Sequence, residues 1–138
     1  MNCDASFAAK KETKVLGATE LGATKSEVVR SLGKPDSPQQ YDFYYTKGDS
    51  ELIVSFNDKT KFVESIIVKG KSLKYSVNGI RVGDSKTKVS DLYGFPETVN
   101  RYDKGQTECW KYPSMNVNFC IQNGKVASFS VSNCNVKK

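Results

Sequence analysis

The chain has 138 residues, of which 38% are hydrophobic and 26% charged, which indicates one globular domain with a core and excludes a disordered chain. It contains no histidine, so the usual general base for Ser and Cys nucleophiles and the commonest ligand of transition metals are absent. No stretch approaches the roughly 18 consecutive apolar residues that a membrane helix needs.

The first predicted element is a short helix that begins after Thr24. The Thr24 hydroxyl suits a helix cap, and Glu27, three residues later, completes a capping box. Gly33 followed by Pro35 ends the helix after about two turns. Such a short helix needs a sheet to pack on. Residues 1–20, which precede it, are interpreted as an N-terminal extension or tether.

After this helix, apolar and polar residues alternate, which predicts antiparallel strands. The alternation covers 41–45, 52–56 and 63–68, with a turn at 57–60. Leu73, Tyr75 and Val77 also alternate with polar residues, so we predict that the connection to the second half is another strand.

The same order of motifs recurs later in the chain, which predicts an internal duplication. At a spacing of 61 residues, Gly22, Val28, Gly33, Pro35 and Tyr41 recur as Gly83, Val89, Gly94, Pro96 and Tyr102. At a spacing of 63, Val54, Phe56, Val63, Ile66 and Val68 recur as Val117, Phe119, Val126, Phe129 and Val131. We therefore predict two repeat units, over 21–77 and 78–138, that form one compact body.

The cysteines indicate disulfide bonding. They are Cys3, Cys109, Cys120 and Cys134, without a CxxC pair, and no zinc site is predicted. If Tyr112 pairs with Val117 across the turn near residue 113, Cys109 faces Cys120. Cys134 lies just beyond the last predicted strand and is the alternative partner of Cys109. A disulfide predicts an oxidising, extracytoplasmic location.

The positive charge is concentrated in the second half of the chain. Residues 1–69 carry ten basic and ten acidic side chains, whereas 70–138 carry eleven and five, which gives the net charge of +6. The lysines are interspersed with apolar residues and form no dense run, so a solvated surface is favoured and no nucleic-acid partner is predicted.

The residues between the buried strand positions point to the opposite face of the sheet. An exposed strand face that carries Tyr and Ile suits protein recognition. The candidate protein-binding residues are Tyr44, Ile53, Ile67 and Lys111, and Val63 is expected on the same face. The aspartates form no calcium-binding array. We predict no catalytic residue, no metal and no cofactor, and we expect a binding protein rather than an enzyme.

The recurring motif resembles the small bacterial domain shared by BamE (SmpA/OmlA) lipoproteins and the β-lactamase inhibitor protein, and its tandem arrangement also resembles YjgB-type secreted proteins. The residues that carry the resemblance are Gly22, Thr24, Val28, Gly33 and Pro35 in the first half, and Gly83, Ser85, Val89, Gly94, Pro96, Trp110, Phe119, Gly124, Lys125 and Val126 in the second.

The resemblance implies an α+β fold of two tandem helix-loop-helix plus antiparallel β-meander units that share one curved sheet. It implies an extracytoplasmic protein-binding module, with inhibition of a secreted or periplasmic enzyme as one role. The alternative is a structural envelope lipoprotein of the BamE type that mediates assembly. In that case Cys3 is lipidated, and the only membrane contact is through this lipid anchor. The expected locations are secreted, periplasmic or lipid-anchored at the cell envelope.

Overall fold

The computed structural model describes residues 15–132, which form one antiparallel sheet of eight strands with two short helices against one face. The elements in chain order are α1 (Lys25–Leu32), β1 (Ser37–Pro38), β2 (Asp42–Lys47), β3 (Ser50–Phe56), β4 (Val63–Lys69), α2 (Lys86–Tyr93), β5 (Thr98–Tyr102), β6 (Thr107–Tyr112), β7 (Val117–Gln122) and β8 (Lys125–Ser132). The strand order across the sheet is β1-β2-β3-β4-β8-β7-β6-β5.

Both helices begin and end where the sequence predicts. Before α1, Thr24 Oγ1 accepts a hydrogen bond from the Glu27 amide at 3.1 Å, and Glu27 Oε1 accepts one from the Thr24 amide at 2.9 Å. Before α2, Ser85 Oγ accepts from the Lys88 amide at 3.3 Å. A glycine at positive φ follows each helix. The predicted cap of α1 is therefore confirmed, and Ser85 caps α2 at the equivalent position.

Alternation along the strands divides the sheet into a covered face and an open face. Fully buried residues on the two helices, Val28 and Val89, pack against the covered face. Burying each Val, Leu, Ile or Phe side chain stabilises the fold by about 1.5–3 kcal/mol. One buried row crosses six strands and consists of Phe43, Val54, Ile66, Val131, Val117 and Tyr112.

The two halves of the chain meet at β4 and β8, which pair antiparallel from Ser65–Ser132 to Lys69–Ser128. Each half also makes the same contact between the segment before its helix and its last strand. The Gly22 amide donates to the Val63 carbonyl at 2.9 Å, and the Gly83 amide donates to the Val126 carbonyl at 2.8 Å. The two glycines are 61 residues apart and the two valines are 63 residues apart. The equivalent hydrogen bond in each half therefore joins one residue from each of the two repeat spacings.

The predicted architecture of two helix-loop-helix units is wrong. Within residues 15–132 there are only two short α-helices, and the fold is dominated by one eight-stranded sheet. Residues 15–24, directly before α1, form no second helix, because Gly17 and Gly22 have φ of +92° and +88° and Gly22 hydrogen-bonds to a strand instead.

Two further expectations about the strands are wrong. The segment around 73–77 forms no strand and makes only isolated bridges, Leu16–Ser76 and Val77–Ile80. Val63 is buried, with 2% of its surface exposed, because the register shifts between Ser55 and Phe56. The extra residue of this bulge turns Val63 away from the open face and onto the covered one.

Candidate functional site

The structure brings the four predicted binding residues into a single row across the open face. Tyr44 pairs with Ile53 and Ile53 with Ile67. The row then continues from β4 to β6 through Ser130, Asn118 and Lys111. We call these six residues, Tyr44, Ile53, Ile67, Ser130, Asn118 and Lys111, the central row.

Every side chain of the central row is partly exposed, whereas the strand neighbours on either side of Ile53, Leu52 and Val54, are fully buried. This contrast follows from the period of two in a strand, which sends successive side chains to opposite faces. Tyr44, Ile53 and Ile67 thus form a partly exposed apolar strip, and the central row becomes polar from β8 onward.

A depression of about 490 Å³ lies at the β1 end of the central row. Its lining includes Asp36, Asp42, Tyr44, Thr46 and Glu51. Asp36 Oδ2 is fixed by hydrogen bonds from the amide of Thr46 at 2.7 Å and from its hydroxyl at 3.3 Å. The depression therefore combines one aromatic ring with three carboxylates, of which one is held in place by the neighbouring strand.

The carboxylates of this depression were not predicted from the sequence as part of a site. Asp42 and Glu51 occupy the same alternation phase as Tyr44 and Ile53, and this signal would have placed them on the open face. Asp36 carried no such signal, because it precedes the two-residue strand β1 and reaches the face only through its bonds to Thr46.

A disulfide joins Cys109 and Cys120, whose Cα atoms lie 3.9 Å apart on β6 and β7. Both cysteines are partly exposed and share the open face with Asn118 and Lys111. Of the two partners left open for Cys109, the structure selects Cys120. Cys134 and the predicted lipidation site Cys3 lie outside the described residues. The cross-strand disulfide favours an extracytoplasmic location.

Two tyrosines connect the sheet to the ends of the helices. The Tyr45 hydroxyl donates to the Gly33 carbonyl at 2.9 Å, and the Tyr112 hydroxyl donates to the Gly94 carbonyl at 2.8 Å. Burial, with a smaller contribution from the neighbouring Tyr93, raises the pKa of Tyr112 to about 12. Burial, followed by the nearby Tyr75 and Asp36, likewise raises the pKa of Tyr45. Both hydroxyls are therefore neutral hydrogen-bond donors at neutral pH.

Carboxylates elsewhere in the fold have structural partners. Glu108 accepts a hydrogen bond from Trp110 Nε1 at 2.8 Å and forms an ion pair with Arg101 at 3.8 Å. Burial acts to raise the pKa of Asp84, but hydrogen bonds from the Arg81 amide and the Lys88 ammonium lower it overall. In the part of the chain that the structure describes, no group of three or more His, Cys, Asp or Glu side chains is arranged to hold a metal ion.

Neither helix of the described segment is long and apolar enough to cross a membrane.

No family model matches the sequence, and no curated protein matches it. Solved structures do resemble the fold. A cysteine-rich secretory protein from Staphylococcus aureus subsp. aureus Mu50 superposes with a TM-score of 0.59 at 16% identity, over 91% of this chain and 46% of that one. A DUF4309 family protein (YjgB) from Bacillus subtilis subsp. subtilis str. 168 gives 0.58 at 16% identity, over 92% and 90%. An extracellular protein containing a SCP domain from Bacillus anthracis str. Ames gives 0.55 at 10% identity, over 82% and 44%.

The likeness is one of fold. At these identities it carries no function from one protein to another. The chain spans less than half the length of the Staphylococcus and B. anthracis proteins and nearly the whole of YjgB. The YjgB-type likeness expected from the sequence is thus found among solved structures. The identification as a tandem BamE-like protein similar to the β-lactamase inhibitor protein is wrong, because the similar structures are of the YjgB and SCP-containing kinds and residues 15–132 show no tandem BamE-like repeat.

Proposed function

We propose that this protein is an extracytoplasmic protein-binding module whose binding surface is the open face of the sheet. The observation that supports the proposal is the central row, in which Tyr44, Ile53 and Ile67 adjoin one another, partly exposed, on a face that neither helix covers. Interfaces are enriched in tyrosine and in apolar anchors surrounded by polar groups. On this face the polar surround includes serines, Asn118 and Lys111 on one side and the carboxylates of the depression on the other.

The size of the open face fits this role. Eight strands at a spacing of about 4.8 Å span about 34 Å, and strands of about six residues are about 20 Å long. Their product, about 700 Å², is close to the roughly 800 Å² that each partner contributes to a standard protein–protein interface. A face built on a continuous hydrogen-bonded ladder is also rigid, so little conformational entropy is lost when a partner binds.

Two observations support the extracytoplasmic part of the proposal. The Cys109–Cys120 disulfide is stable only where thiols are not kept reduced. Two of the similar structures are described as a secretory and an extracellular protein. The finer proposals, a lipid anchor at Cys3 and inhibition of a secreted or periplasmic enzyme, rest on the sequence alone.

The test is a comparison of captured proteins. The immobilised wild-type protein and a Tyr44→Ala/Ile53→Ser variant are each exposed to culture fluid and envelope extract of the source organism. The matched control is Leu92→Ser/Phe95→Ser, which changes two apolar residues outside the open face that are 54% and 91% exposed. We expect a protein that the wild type and the control retain and the open-face variant loses, with the affinities of the purified pair measured by calorimetry.

Equal capture by all three proteins would contradict the proposal, as would loss from the control alone. Circular dichroism of each variant checks that its fold is unchanged. Tyr44 and Ile53 are only partly buried, so their replacement is expected to alter the unfolding free energy by less than a core substitution does.

A further inference from the structure

The charges on the open face are unevenly distributed. Asp36, Asp42 and Glu51 lie at the β1 end, where Lys69, paired with Glu51 across β3 and β4, is the one opposing cation on the strands. At the far end Lys111 stands in the central row beside Asn118. The described strand residues on the β5 to β8 part of this face include no carboxylate. The β1 end is therefore net negative and the β6 end is net positive.

From this asymmetry we infer that the partner docks on the open face with an arginine in the depression beside Tyr44 and an apolar side chain on Ile53 and Ile67. The inference rests on the proposed function and names the chemistry of the partner. The occupant is a segment of a protein, because a free cation would leave the adjoining apolar strip uncovered.

Arginine fits the depression better than other side chains. Its planar guanidinium stacks on an aromatic ring while its N–H groups reach carboxylates, and it holds its charge at all physiological pH values. The depression supplies both contacts, with the ring of Tyr44 and the carboxylates of Asp42 and Glu51 in one lining. Within residues 15–132 neither Asp42 nor Glu51 has an ion pair within 4.0 Å, so both are available to a partner's cation.

The spacing of the strip sets where the apolar side chain must lie. Ile53 and Ile67 are one and two strands away from Tyr44, or about 5 and 10 Å at the usual strand spacing. In an extended segment, side chains two residues apart are about 6.6 Å from each other on the same side. An arginine followed two residues later by Leu or Ile therefore reaches the depression and the strip together.

The experiment uses a defined probe. The peptide acetyl-Ser-Arg-Thr-Leu-Ser-amide is titrated into ¹⁵N-labelled full-length protein, beside a matched peptide in which citrulline, neutral and nearly isosteric, replaces arginine. We expect saturable chemical-shift changes at Tyr44, Ile53 and Ile67, with affinity for the citrulline peptide weaker by about threefold or more. Asp42→Asn and Glu51→Gln are expected to reduce the affinity for the arginine peptide to the citrulline level.

The control variant is Asp91→Asn, which removes an exposed carboxylate from α2 and is expected to leave the affinity unchanged. A random twelve-residue peptide library, selected on the wild type against the Tyr44→Ala/Ile53→Ser variant, gives an independent readout. We expect enriched peptides with arginine two residues before an apolar residue, and loss of their binding in Glu51→Gln.

The outcomes separate this inference from the proposed function. If peptides bind the central row equally well with citrulline, or if the enriched peptides lack basic residues, the inferred arginine contact is wrong. The open face would still be a binding surface. Enriched peptides that bind both the wild type and the Tyr44→Ala/Ile53→Ser variant would overturn the open face itself. If no peptides are enriched on the wild type relative to the Tyr44→Ala/Ile53→Ser variant, both the arginine contact and the open face as a binding surface are contradicted.

Discussion

Replacement of both Cys109 and Cys120 by serine is expected to lower stability without unfolding the protein. The disulfide spans 11 residues of sequence and joins strands that are also held by six paired positions between β6 and β7. On the buried side of the same pair, Trp110 packs opposite Phe119. The hairpin therefore keeps its ladder and its core contacts when the disulfide is absent.

The magnitude follows from the entropy of the closed loop. For a loop of 11 residues the chain-entropy relation gives about 2.8 kcal/mol at 25 °C. Residual hairpin structure in the unfolded chain reduces this value. For a domain of this size each kcal/mol shifts the Tm by about 3–4 °C, so we expect a fall of about 5–10 °C.

Thermal unfolding followed by far-ultraviolet circular dichroism measures this change, with reduced wild-type protein as a second route to the open disulfide. A non-reducing peptide map identifies the bonded pair. The reasoning is refuted if the Tm of the double variant is unchanged, if the variant fails to fold at 25 °C, or if the map joins Cys109 to Cys134 instead.

Two further predictions test the packing of the sheet. The folded pKa of Tyr112, about 12, lies above the unfolded value near 10, so its contribution to stability is complete below pH 10 and is lost as the pH rises toward 12. Tyr112→Phe removes the hydrogen bond to the Gly94 carbonyl, which lowers the unfolding free energy by about 1 kcal/mol at pH 7. In urea titrations the variant is also expected to lose less unfolding free energy than the wild type as the pH rises above 10. An unchanged dependence of the unfolding free energy on pH would contradict this. Gly70→Ala is expected to cost more than about 2 kcal/mol, because φ is +87° and the new Cβ would lie 2.8 Å from Ser50 Cα. Gly83→Ala is the control, because at φ +101° its new Cβ would meet nothing within 4 Å and only backbone strain is introduced. Equal losses of unfolding free energy in the two variants would show that the contact with Ser50 is unimportant.

Local features of the fold were predictable from the sequence because they depend on neighbouring residues. The capping box at Thr24 and Glu27 needs only four consecutive residues. The strand faces follow from a period of two, which placed Tyr44, Ile53 and Ile67 on the open side. The tight turn after Tyr112 likewise set the register that brings the two hairpin cysteines together.

The predictions that failed depend on residues far apart in the chain. Strand β5 was not predicted, since Thr98–Tyr102 carries a weak apolar pattern and is held by its pairing with β6. The helix-loop-helix assignment failed because residues 22 and 23, before α1, hydrogen-bond to the first residue of β4, some forty residues away. The bulge that buries Val63 is a property of the β3–β4 pair and of neither strand alone.

The helix limits, the alternation of each strand and the hairpin that holds the disulfide could be predicted from the sequence, because each follows from contacts between residues close in the chain. The pairing of β4 with β8 is instead a property of the folded sheet. That pairing places Ile67 next to Ser130. It thereby joins the apolar strip of the first half of the chain to the polar residues of the second half in one central row. It also sets Asp36, Asp42 and Glu51 at one end of the row and Lys111 at the other. No local pattern encodes this distribution of charge, because it arises from the order of the strands in the completed sheet.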